Sequence, residues 1–174
     1  MAAAEAVAGT SLWSTFTQKA ELVGAVVMRT ASEESAVALL HEATSGFSCT
    51  TSVAQRYPKL AGHALHQNVA DNPAAEMVTV GEFAVAETGS IALNEPAVDR
   101  GGCFLSERLW VLIAAPEIVP TLDVGMQRMR DLVISGAHHP LLMTGPSRTA
   151  DIERVLTIGV HGPRAVVIVV VANT

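Results

Sequence analysis

The 174-residue sequence predicts a single α/β domain of three layers, with helices on both faces of a mostly parallel sheet. Three observations point there. The run from Arg164 to Val171 has an interior of Val and Ile with no polar alternation, which is the pattern of a strand buried on both faces. Other β-prone runs alternate with helical patterns of about ten residues, as in βαβ units. The composition agrees: 27 alanines and 22 valines suit short helices packed on a β-branched sheet.

Read in order, residues 1–11 are small and featureless and are expected to form a flexible N-terminal segment, leaving 12–174 as the domain. After a cap at Thr10 or Ser11, Leu12, Phe16, Ala20 and Val23 recur at helical spacing. Residues 24–30 read as a strand. Ser32 caps a helix with the apolar stripe Ala36, Leu39, Leu40 and Ala43, ended by Gly46. Phe47 to Ser52 reads as a short strand, and 54–66 as helix interrupted near Pro58. Met77–Val80, Phe83–Ala86 and Ser90–Leu93 are short β-prone pieces, followed by a loop over Asn94–Gly102. Leu109–Ala115 is an apolar strand. Thr121 caps a helix whose predicted inner face is Leu122, Met126, Met129 and Val133. A short strand at Leu141–Thr144, a helix over Thr149–Ile158 and the final strand complete the pattern. No internal repeat, linker or low-complexity tract interrupts it.

Composition excludes several classes. The net charge is −6 and only seven residues are aromatic, which argues against nucleic-acid binding. The longest apolar run, Ala165–Ala172, is far short of the roughly 20 residues of a membrane span. No positively charged leader precedes an apolar stretch, and Cys49 and Cys103 are lone thiols, so a cytoplasmic location is expected. Two cysteines cannot supply the four thiolates of a conventional iron–sulfur cluster, and no metal site is evident. His63 and His66 share a helix face but lack a third ligand. A homodimer through an exposed β edge or apolar helix face remains open.

Standard fingerprints are absent. Gly145-Pro-Ser147-Arg148-Thr149 begins like a nucleophile elbow but has Thr149 in place of the second Gly. The segment Met143 to Glu153 instead reads as strand, tight turn and helix start. A helix N-terminus there would attract an anion, with Ser147, Arg148 and Thr149 adding hydroxyls and a cation. Simple capping by Thr149, with Asp151 favouring the dipole, explains the same residues equally well. Glu87-Thr88-Gly89-Ser90 follows apolar residues that would desolvate the acid and suit it to acid–base or nucleophilic work, or else it is a polar turn. His161, in Gly159-Val-His161-Gly-Pro163, is the residue type that titrates near neutrality, or it is locked in a turn. Arg100, in a glycine-rich loop, is a natural carboxylate clamp if it faces a crevice.

These stretches resemble the LUD domain (lactate-utilisation, LutC-like) family. The likeness runs in order through Ala86-Glu87-Thr88-Gly89-Ser90-Ile91, Arg100, Gly145 to Glu153, and Gly159 to Pro163, and more weakly from residue 12 onward. Where the family often shows a Leu-Pro-x-x-His type sequence, this chain has Leu105-Ser-Glu107-Arg108-Leu-Trp110. The resemblance implies the three-layer fold of the sugar-isomerase and CoA-transferase superfamily (NagB/RpiA/CoA-transferase-like). It also implies a role in oxidising L-lactate to pyruvate beside iron–sulfur partner subunits, which carry the clusters while this chain carries no cofactor. On that reading Glu87 and His161 are the acid–base candidates. Thr88, Gly89, Ser90, Arg100, Gly145, Ser147, Arg148, Thr149 and Asp151 surround a small carboxylate or other small anion at the strand C-terminal ends. Two alternatives stand: an acyl-CoA or phosphosugar enzyme with Glu87 as nucleophile, and a non-catalytic binding or regulatory module.

Overall fold

The computed structural model describes the backbone of residues 2–65, 75–137, 139–152, 155–158 and 162–172, and the side chains of these outside 2–11, 149–152 and 155–158. The elements run α1 (Ala2–Leu22), β1 (Val26–Thr30), α2 (Glu33–Ala43), β2 (Ser48–Cys49), α3 (Thr51–Arg56), α4 (Pro58–Ala61), β3 (Glu76–Val85) and β4 (Ser90–Leu93). They continue with α5 (Ala97–Leu105), β5 (Arg108–Ala114), β6 (Ile118–Val119), α6 (Leu122–Ile134), β7 (Leu141–Met143), β8 (Arg148–Ile152), β9 (Val155–Ile158) and β10 (Ala165–Val171).

The main sheet has the order β1-β10-β5-β3-β4-β7, with β2 and β6 also paired to β3. Pairings from β1 through β3 are parallel, as are those of β2 and β6, whereas β3–β4 and β4–β7 are antiparallel. The mostly parallel α/β expectation is met. Strand β10 is covered on both faces, as its unbroken apolar run requires. Val166, Ile168 and Val170 join a core with Trp13, Phe16 and Ala20 of α1. Val167, Val169 and Val171 join the opposite core with Ala36, Leu40, Val53 and Leu60 of the α2–α4 layer. A third cluster places α6 against Phe83, Val85 and Ala92.

Local chemistry explains the boundaries. Ser32 and Ser35 form a reciprocal capping box at α2. Thr50 and Thr121 cap α3 and α6 by accepting from Val53 N and Val124 N. Pro58 is the first residue of α4, where its missing N–H costs nothing. Strand β3 is one continuous ten-residue strand rather than two pieces. Its register shifts between Gly81 and Phe83. A Cβ on Gly81 would come within 2.7 Å of Ile91, so only glycine lets the strand bend there. The bend moves β3 from pairing with β5, up to Val80–Leu112, to pairing with β4 and β6.

Several expectations are corrected. α1 starts at Ala2, ahead of the expected cap at Thr10 or Ser11. The Phe47–Ser52 strand shortens to Ser48–Cys49, because Thr50 caps a helix from Thr51. Asn94–Gly102 is not all loop: α5 begins at Ala97, because burial of Gly102 and Cys103 overrides the poor helix propensity of the paired glycines. Thr149–Ile158 is not a helix but an antiparallel pair, β8–β9. Its Thr, Ile and Val content favours strand, and a short apolar run does not distinguish the two periods. The inner face of α6 is Val124, Gly125, Met129 and Leu132, while Leu122, Met126 and Val133 are exposed.

Candidate functional site

The bend in β3 creates the site. In an open parallel sheet, ligands bind outside the carboxyl ends of the strands, where the chain connections diverge. Here β5 ends at Ala114 while β3 continues to Val85, and the peptide between them turns back so that Ala84 N donates to Glu117 O. The gap between the strand ends is a cavity of about 470 Å³ lined by Tyr57, Gly81, Glu82, Ala114, Glu117 and Arg128. Beside it lies a second cavity of about 530 Å³ that includes Ser52, Asn94, Glu95, Arg100 and His139 in its wall. Arg56 and Glu82 line both cavities, so together these form one groove.

Charges in the groove are held in place. One nitrogen of Arg56, Nη2, donates to both carboxylate oxygens of Glu82, at 2.8 and 2.6 Å. Arg128 pairs with Glu117 and stacks over the Phe83 ring, 4.8 Å from its centroid. Glu95 is 6% exposed and its carboxylate is heavily solvated by protein. It accepts from Thr50 Oγ1 (2.9 Å), Ser52 Oγ (2.7 Å), Thr79 Oγ1 and, more weakly, Val80 N. Asp99, fully buried, accepts from Thr51 N at 2.9 Å through Oδ2, while its Oδ1 has no partner among the described residues. These two carboxylates flank the buried cysteines. Burial, with Asp99 and then Glu95 adding to it, pushes the Cys49 thiol up to about 11. Burial and then Glu95 push the Cys103 thiol up to about 12.

Arg100 sits in the first turns of α5 and donates from Nη2 to Glu95 O at 3.3 Å. Of the three half-buried arginines among the described residues, Arg108 pairs with Glu76 and Arg128 with Glu117. Arg100 has no carboxylate within ion-pair distance among the described residues, and it lines the groove. A half-buried guanidinium of that kind retains N–H donors for an anion.

The other predicted site residues lie elsewhere. Glu87 is exposed rather than desolvated, and its carboxylate accepts from Leu122 N at 2.7 Å, which closes the N-terminus of α6. Thr88 Oγ1 donates to Ser90 Oγ (2.8 Å), and Ser90 Oγ lies 2.7 Å from Thr144 Oγ1, so the two predicted turns do meet through these hydroxyls. Gly89 and Gly145 both have φ of +69°, and a Cβ on either would strike backbone at the end of α1: Lys19 and Ala20 for Gly89, Val23 O for Gly145. Ser147 N donates to Pro163 O at 3.0 Å, just before β10, which places this turn at the amino ends of the parallel strands. Because β8 rather than a helix follows, the expected anion site on a helix N-terminus has no structural basis. Arg148 is exposed and lines a separate cavity of about 320 Å³ with Phe104 and Ser147. Thr149 and Asp151 lie on β8, and their side chains are outside the described residues, as is His161 altogether. Glu82, Glu95, Asp99, Glu117, Arg56 and Arg128 belong to no motif in the sequence. The one legible signal among them was Glu95-Pro96 leading into Asp99-Arg100, a polar cluster between two apolar runs.

The LUD domain family model matches residues 72–171, more than half of the chain. The chain belongs to the LUD domain family. Within the matched region of this LUD domain lie Glu82, Glu95, Asp99, Arg100, Glu117 and Arg128, whereas Arg56 and Tyr57 precede it. The LUD domain is 33% identical over 110 residues to lactate utilization protein C of Geobacillus thermodenitrificans, covering 58% of this chain and 45% of that protein. It is 35% identical over 104 residues to the protein of that name from Bacillus pumilus, covering 56% and 42%, and 31% over 90 residues to the one from Bacillus subtilis, covering 49% and 38%. The chain spans less than half the length of these curated relatives. A DUF162 family protein from Deinococcus radiodurans shares the fold, with a TM-score of 0.67 at 18% identity over 94% of this chain and 98% of that one. Among the described residues no helix is long and apolar enough to cross a membrane, and no group of three or more His, Cys, Asp or Glu is placed to hold a metal ion.

Proposed function

We propose that this LUD domain acts as a LutC-like component of a cytoplasmic system that oxidises L-lactate to pyruvate, and that it binds a small carboxylate in the groove at the carboxyl ends of β3 and β5. The observation that carries this is Arg100, half-buried, lining the groove and without an acidic partner among the described residues. Its guanidinium clamps the carboxylate in a two-pronged contact. Ser52, Asn94 and His139 in the same wall supply polar groups for a hydroxyl or carbonyl. The names of the related lactate utilization proteins support the pathway.

Oxidation of lactate releases two electrons and two protons, and the electrons pass to iron–sulfur clusters on partner subunits. The chain's own cysteines support that division. Cys49 and Cys103, both buried, are two thiols where a conventional cluster takes four.

Calorimetric titration with L-lactate tests the binding step, and growth of a deletion strain on L-lactate tests the pathway. Saturable binding by the wild type, weaker binding by Arg100→Ala, and no growth of the deletion strain are expected. Normal growth of that strain on lactate overturns the assignment.

A further inference from the structure

The groove is larger than a lactate-sized ligand. At water's share of about 30 Å³ per heavy atom, the six heavy atoms of lactate fill at most roughly 180 Å³. The cavity beside Arg100 is about 530 Å³, and the adjoining one adds about 470 Å³. Cavities of this size hold ligands several times heavier than lactate.

The far end of the groove also has its own chemistry. Arg56 uses a single nitrogen to satisfy both oxygens of Glu82, leaving its Nε and Nη1 uncommitted to that pair. Arg128 is braced on one side by Glu117 and from below by the Phe83 ring. Both ion pairs are partly exposed, so they contribute little to stability. Their structural effect is to fix two guanidinium groups beside the groove in defined orientations. A guanidinium held at one edge by a carboxylate still presents further N–H donors to a second anion.

We propose that the groove takes one elongated dianion: its first carboxylate is held at Arg100, and a second acid group is held by Arg128 at the far end together with Arg56, where the two cavities adjoin. This rests on the reading of Arg100 as the carboxylate anchor. The two cavities adjoin at the Arg56–Glu82 ion pair, which lines both, so a single extended ligand reaching from Arg100 toward Arg128 passes over that pair.

The test is a calorimetric series of unbranched α,ω-dicarboxylates, malonate to suberate, each compared with the monocarboxylate of equal length and with L-lactate. Affinity is expected to peak at one chain length, with the diacid at least about tenfold tighter than its monoacid. Arg128→Gln and Arg56→Gln should each remove that advantage, and Arg128→Gln, whose side chain does not line the Arg100 cavity, should leave L-lactate binding unchanged. Circular dichroism would establish that both variants are folded. Diacids binding no more tightly than monoacids, or an advantage that survives both substitutions, overturns the second subsite. If diacids bind in this way and L-lactate does not, the subsite stands and the lactate assignment falls. If L-lactate binds and no diacid gains, the reverse holds.

Discussion

The Gly89 and Gly145 turns at the end of α1 differ in kind from the groove at the carboxyl ends of β3 and β5. The first carries the residues that stand out in the sequence. The second carries most of the fixed charge. In the turns, the glycines have positive φ and touch backbone of α1, and the hydroxyls of Thr88, Ser90 and Thr144 contact one another. In the groove, arginines and carboxylates come from α3, β3, α5, α6 and the β5–β6 turn, and no two of the paired partners are close in sequence. Legible motifs in this domain therefore coincide with tight packing, while ligand-facing chemistry is assembled from dispersed positions.

The largest expected effect would break that contrast if it failed. Gly145→Val and Gly89→Val put a β-branched side chain at φ +69° and against backbone, so each should cost more than about 3 kcal/mol in urea unfolding. A stable Gly145→Val that had lost ligand binding would make the turn functional rather than architectural.

The next effect concerns the buried thiols of Cys49 and Cys103. The buried thiols keep their protons in the folded state to about pH 11 and 12, whereas the unfolded chain releases them near 9. The folded state then holds more protons, so stability is full below pH 9 and declines as pH rises through 9 to 11, by about 1.4 kcal/mol per thiol per unit at most. Unfolding curves at pH 8, 9, 10 and 11 should show this, and Cys103→Ala should flatten it. A flat wild-type profile would mean that water reaches the thiols.

Arg100→Ala should weaken L-lactate binding by about tenfold to a hundredfold, the range of a lost charge-assisted hydrogen bond. Its Tm should stay close to that of the wild type, since the group makes a single 3.3 Å contact to Glu95 O. Equal losses of Tm and affinity would recast Arg100 as architectural. Smallest of all, Glu87→Gln removes a charged acceptor from an exposed helix start. It should cost about 0.5–1 kcal/mol with ligand binding intact.

How much of this was readable follows from which physical forces act locally. The buried strand β10, the caps Ser32 and Thr121 and the parallel sheet follow from local pattern, because burial on both faces and capping leave their marks within a few residues. The helix α5 did not, because Gly101 and Gly102 lower propensity and only packing of the Gly102–Cys103 face restores it. The β8–β9 pair was misread because Thr149 and Asp151 imitate a helix start while the Val and Ile content permits either period. At the site, Arg100 was legible as a cation beside a turn. Its link to Glu82 and Arg128 was not, since it depends on the bend at Gly81 that exposes the end of β5.

The place of β10 in the sheet also governs the order of assembly. Among the described residues, strand β1 pairs only with β10, Val26 facing Val167, and β10 in turn lies against β5. Strand β1 is thus without this strand partner until Ala165–Val171 has been made. Its closure spans well over a hundred residues, a contact of high sequence separation that slows folding. A shortened chain lacking Ala165–Val171 loses the seat for Val26–Thr30 as well as its own seven residues. Removal of β10 therefore also unseats a strand far away in the sequence.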